Sequence, residues 1–131
     1  MNVTMDLAAI AAAFGKAWTR ETSADAAGWT PEIPAHGQCA VTAALVRDLL
    51  GGRVVWGEAI LPDGVHVSHY WNEVGGAEID LTRSQFPSGT LVPVAGRRKP
   101  EMEDAYDYVL SAPATSARYE ILKAALAHHR S

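Results

Sequence analysis

Cysteine is almost missing from this sequence, and of its 131 residues only Cys39 carries a thiol. A lone thiol closes no intrachain disulfide, which fits a reducing cytoplasm, and it removes every zinc pattern built on paired cysteines. Long apolar runs are missing too. The stretch over residues 7–14 lies between Asp6 and Lys16, has no basic segment ahead of it, and falls far short of a bilayer span, so no membrane is expected. Positive charge is also scarce, with 11 Lys and Arg against 15 Asp and Glu and a formal net charge of -4. That leaves no basic face for a phosphate backbone, and nucleic acid is not an expected partner. Gly51-Gly52 and Gly75-Gly76 lack the surroundings of a P-loop or dinucleotide fingerprint, so no nucleotide cofactor is expected. No H-E-x-x-H motif occurs, and His66 and His69, three apart on a strand, point to opposite faces, so no metal is expected either. The chain shows no internal repeat, low-complexity tract or long charge run. With 48% hydrophobic and 20% charged residues it reads as one domain over 1–131 with a single core.

Within that frame the apolar periods place the elements. Leu7, Ile10, Ala11, Phe14 and Trp18 predict an amphipathic helix over 5–19. Residues 21–38 have loop composition, with Pro31 and Pro34 stopping helix and central strand alike. Val41, Ala44, Leu45 and Leu49 then form one stripe of a helix over 39–50, which Gly51-Gly52 stops, so Cys39 belongs to its first turn. Three β-rich stretches follow, over 53–60, 65–72 and 77–81, separated by Pro62-Asp63-Gly64 and by Gly75-Gly76, and they predict an antiparallel meander. Loop composition returns over 87–100. Residues 101–110 fit neither period, and a last helix is expected from about Thr115 or Ser116, with His128-His129 at its solvated end. The class is α+β.

The thiolate is the reactive form of cysteine, and the positive end of a helix favours it, as does a nearby imidazolium. Cys39 has the first of these by position, though a lone cysteine at a helix start is more often a small buried residue. His69 shifts that balance. It shares a strand face with Val65, Val67 and Trp71, a face expected to be buried, and a histidine there needs a polar partner. Asp80 on the adjoining strand is the candidate. An even turn around Gly75 puts His69 and Asp80 on one face, directly opposite or diagonal, while an odd turn without a bulge separates them. Cys39 as nucleophile, His69 as base and Asp80 as the group that orients the imidazole form the expected catalytic set. The Cys39 backbone N–H and the Gln38 side-chain amide are the expected oxyanion donors. His36, Tyr70, Trp71 and Gln85, with Phe86, are the candidates for a substrate cleft, although such residues are more often plain packing.

These residues resemble two known families. Gly37-Gln38-Cys39 ahead of a helix resembles the nucleophile motif of transglutaminases, His69-Tyr70-Trp71-Asn72-Glu73-Val74 resembles their histidine strand, and Ile79-Asp80-Leu81-Thr82 resembles the strand that supplies their aspartate. Over nearly the whole chain, Trp18, Thr22-Ser23, Pro34, the Gly37 to Ala43 run, Ser68 to Asn72, Asp80 to Phe86 and Arg118-Tyr119-Glu120 are similar to the small bacterial YunG-like proteins. The transglutaminase resemblance implies a papain-like fold, in which the nucleophile helix packs on the three-stranded meander with helices flanking it at both ends. It also implies thiol acyl transfer, with no cofactor, on a peptide, protein or small amide or thioester substrate. The YunG-like resemblance carries no activity. The chain is much shorter than typical transglutaminases, and its Gly75-Gly76 turn is tighter. The competing expectation is a binding module on the same fold, with Cys39 unreactive and the cleft recognising a peptide or small ligand.

Overall fold

Ile10, Ala13, Phe14 and Ala17 recur at helical spacing and form the buried stripe of helix α1, Leu7–Ala17, in a computed structural model that describes residues 7–93, 99 and 101–130. Positions 5 and 6 of the expected first helix, 94–98 and 100 of the expected loop, and Ser131 lie outside the described residues. The helix ends before Thr19, which turns extended and opens a short 3-10 turn, Arg20–Thr22. A second, Ala26–Gly28, follows where the sequence reads only as loop. Trp18 continues the α1 stripe, and its indole N–H donates to Thr42 Oγ1 at 2.9 Å. That bond ties the first helix to the second.

Helix α2, Cys39–Leu50, buries Val41 through Val46 and stops at Gly51, whose positive φ lets its N–H reach Arg47 O at 2.9 Å. Three antiparallel strands follow in the order β1, Arg53–Ile60, β2, His66–Val74, and β3, Ala77–Ile79. Val74 pairs with Ala77, which leaves Gly75-Gly76 as a two-residue turn, and their φ values of 58° and 84° suit the right-handed twist of the strands they join. The bounds differ from the sequence reading at both outer strands' junctions with β2. β2 begins at His66, with Val65 50% exposed in the preceding turn, and it runs on to Val74. β3 stops at Ile79 because Asp80 leaves the ladder and the chain enters the 3-10 turn Arg83–Gln85.

Alternation assigns the two faces of the sheet. Val54, Trp56 and Tyr70 pack into the core formed with the helices, around Phe14, Leu45 and Leu122. On the same side buried Asn72 donates its amide N–H to Ala43 O of α2 at 2.8 Å. Val55, Ala59, His69 and Trp71 are buried on the other face. The chain itself covers that face: after Asp80 it travels from the β3 edge to the β1 edge, bringing Phe86 against His69 before Leu91 pairs with Ile60.

Residues 101–110, ambiguous by period, contain the five-residue helix α3, Tyr106–Leu110. Asp104 holds it to the rest: one carboxylate oxygen accepts from the N–H of Val54 and of Tyr106, and the other pairs with Arg47 at 2.6 Å. Asp48 of α2 accepts from the hydroxyls of Tyr106 and Tyr119. Burial and that carboxylate raise the pKa of both phenols. Helix α4, Pro113–Arg130, starts two residues ahead of Thr115, with proline at its first position, where no intrahelical N–H is required. His128 and His129 are exposed near its end. The described residues thus form an α+β unit of four helices and a three-stranded antiparallel sheet. No helix among them is long and apolar enough to cross a membrane.

Asn72 is the polar rivet between β2 and α2. Asn72→Ala removes its hydrogen bond and leaves a small cavity, and about 2–3 kcal/mol of stability should be lost in urea denaturation. A loss under about 0.5 kcal/mol would show that packing alone docks the helix.

Candidate functional site

The start of α2 is fixed by the two residues before it. Gly37 has φ 72°, and a Cβ there would lie 2.3 Å from Ser23 Oγ, so the approach to the helix requires glycine. Its carbonyl accepts from Ala24 N–H at 2.8 Å. Gln38 is fully buried: Oε1 accepts from Thr22 Oγ1 at 2.7 Å and Nε2 donates to Thr19 O at 3.0 Å. Its backbone carbonyl takes the first intrahelical bond, from Thr42 N–H at 3.0 Å. Cys39 follows as the first residue of α2, half-buried, at the positive end of the helix, where backbone N–H groups have no intrahelical acceptor.

His69 arrives from β2. Extending the pairing of Asn72 with Ile79 by one step sets Asp80 opposite Trp71, hence diagonal to His69 on the same face. The carboxylate closes that diagonal: His69 Nε2 and Asp80 Oδ2 are 2.7 Å apart. Trp71 stacks on the imidazole, with centroids 5.5 Å apart, and Phe86 meets it edge-on at 4.9 Å. The ring is fully buried, and both Nδ1 and Asp80 Oδ1 lack a hydrogen bond. Burial pulls the imidazole pKa down, but the hydrogen bond to Asp80 and the charges of Asp80 and Cys39 outweigh it and raise the pKa to about 9. The Cys39 thiol thus acts on the ring's charge without a hydrogen bond to it. The raised pKa favours the doubly protonated ring.

The remaining sequence candidates separate into two hollows and a backing wall. His36 Nε2 lies 2.8 Å from Asp25 Oδ2. This bond, with the Gly28 N–H, holds the Asp25 carboxyl below its usual range. His36, Gly37, Gln85 and Phe86 line a groove of about 340 Å³. Gln85 is a strut there, donating to Thr82 Oγ1 at 3.1 Å and accepting from Gly37 N–H at 3.4 Å. Tyr70 belongs elsewhere, with Ala40 in a hollow of about 280 Å³. It stacks on Trp56, which stacks in turn on Tyr108. Trp71 lines neither; it is buried behind His69 with its indole N–H on Glu78 at 2.5 Å. The sequence reading missed Thr19 and Thr22, which fix Gln38, and Tyr108, which reaches the hollow from α3. Only the S/T-rich stretch after Trp18 gave a local sign of the first pair. Among the described residues no group of three or more His, Cys, Asp or Glu side chains converges as a metal site.

A family model described as "YunG protein" matches residues 6–131. "Uncharacterized protein YunG" of Bacillus subtilis (strain 168) is 36% identical over 72 residues, covering 54% of this chain and 55% of that protein. The matched region thus spans about half the length of that relative. No solved structure matches.

The raised pKa of His69 makes stability pH-dependent. Below pH 6.5 the ring is protonated folded and unfolded alike, and its ion pair with Asp80 contributes fully; between 6.5 and about 9 only the folded state keeps the proton, and the contribution is lost. Urea denaturation should show a loss of about 3 kcal/mol across that window, absent in His69→Gln. Equal pH profiles in both proteins would contradict the protonated pair.

Proposed function

The chain belongs to the YunG family, and from the geometry of its site we propose that it is a cysteine-dependent acyl transferase or amide hydrolase with Cys39 as nucleophile. The observation that carries the reading is the buried imidazole, bonded to Asp80 through Nε2, with its other nitrogen unpaired and the Cys39 thiol acting on it. The order Cys, His, Asp and the helix that begins at the cysteine support a papain- or transglutaminase-like arrangement on this α+β scaffold.

In the proposed reaction the imidazolium at His69 stabilises the Cys39 thiolate, which attacks the carbonyl carbon of an amide or thioester. The C–N or C–S bond breaks, the Nδ1 proton passes to the departing amine or thiol, and the acyl group stays on sulfur. Water or an amine then gives up a proton to Nδ1 as its oxygen or nitrogen bonds the acyl carbon, and the thiolate returns. Asp80 keeps the ring oriented throughout and stabilises its charge whenever Nδ1 carries the proton. The Cys39 N–H at the helix start serves the oxyanion, helped by the second amide hydrogen of Gln38, whose first is committed to Thr19. Substrates are peptides, proteins or small amides or thioesters, and a single reactive thiol suits a reducing compartment such as the cytoplasm.

Alkylation of Cys39 by iodoacetamide at pH 7 tests the reading. Wild type should react at least tenfold faster than His69→Ala, and Asp80→Asn should fall between them. Equal rates in all three would leave a cleft that binds without chemistry.

A further inference from the structure

The side chains around His69 lie in rows across the sheet. Gly57 is opposite His69 on β1 and adds no side chain, and Val55 is opposite Trp71. The next row on the same face is Arg53, Glu73 and Glu78, in which Glu73 is engaged by the Arg53 guanidinium. Glu78 is thus diagonal to Trp71, and its carboxylate takes the indole N–H at 2.5 Å. The indole is 2% exposed and lies along the imidazole, with centroids 5.5 Å apart and planes 27° from parallel. Phe86, the other ring on His69, meets it edge-on and carries no charge. The charged groups that act on the imidazole are therefore Asp80 and Cys39 directly and Glu78 by way of the indole. Packing alone asks only for an apolar ring of the right size and does not require a carboxylate on its N–H. A carboxylate there polarises the indole and makes its π face more negative, and such a face within about 6 Å of a cation favours the charged form, the more so when desolvated.

We propose that Glu78 is a positioning residue for His69: acting through the Trp71 indole, it holds the imidazole in its charged form. The inference rests on the acyl-transfer reading for its purpose, since the proton so retained on Nδ1 is the one the leaving group takes, though not for its test. Two carboxylates two residues apart in the chain, Glu78 and Asp80, then act on one ring. Asp80 bonds its edge, and Glu78 works through its face.

The test reads the titration midpoint of the His69 ring by two-dimensional NMR. Glu78→Gln keeps an acceptor for the indole N–H but loses the charge, and the midpoint should fall by about half a pH unit. Trp71→Phe keeps an aromatic face but loses the N–H, and should give a similar fall. In the double variant the two falls should not add, because each removes the same relay. Should Trp71→Phe fail to fold, biosynthetic 5-fluorotryptophan weakens the π face while keeping the N–H, and it should lower the wild-type midpoint as well. A midpoint unmoved in Glu78→Gln would reduce Trp71 to packing and overturn the relay. Falls that add in the double variant, or a midpoint indifferent to fluorination, would overturn it too, by showing that Glu78 acts on the ring without the indole. Cys39 alkylation that ignores His69 would instead overturn the acyl-transfer reading, while a midpoint set by Glu78 through Trp71 would still stand.

Discussion

A single hydrogen bond between a buried imidazole and a carboxylate, His69 Nε2 to Asp80 Oδ2, organises this molecule around it. Ionised side chains are rarely stable inside a protein unless paired, and here the pair is held between the Trp71 and Phe86 rings. Three features are needed for it to form. The Gly75-Gly76 turn must be two residues long, β3 must end at Ile79 so that Asp80 can turn to the ring, and the chain beyond must cross the sheet to bring Phe86 over it. Lengthening the turn by one residue would move Asp80 to the other face and leave His69 buried without a partner.

The second half of the site depends on a different set of bonds. Cys39 sits where it does because Gln38 is clamped by Thr19 and Thr22, Gly37 passes close to Ser23, and Asn72 fixes the middle of α2 to the sheet. None of these bonds is made to the thiol itself. Their effect is positional, since a thiolate gains from the imidazolium only at short range. Two hollows lie at the residues that flank Cys39 in the chain, one walled by Gly37 and Phe86 and the other by Ala40 and Tyr70.

The parts written in local pattern were legible in the sequence. The α2 stripe, its glycine stop and the three strands all follow from residue periods and turn chemistry, and so does the condition that lets Asp80 face His69, whereas the even length of the turn that meets it comes from the strand pairing. What escaped was decided by residues far apart in the chain. The five-residue α3 has no period long enough to read, and it exists because Asp104 and Asp48 collect bonds from β1, α3 and α4. Trp71 and Tyr70 looked alike as cleft candidates, but strand alternation put one behind the imidazole and the other in a hollow. Thr115 was legible only as a helix start; its bond to Arg118 appears once α4 begins two residues earlier.

The account stands or falls on whether sulfur carries an acyl group. Intact-protein mass spectrometry after brief exposure to p-nitrophenyl acetate measures this directly. The account predicts one acetyl group, located on Cys39, formed much more slowly in His69→Ala and discharged when a primary amine is added. Absence of an adduct on Cys39, or formation at the same rate without His69, would contradict it.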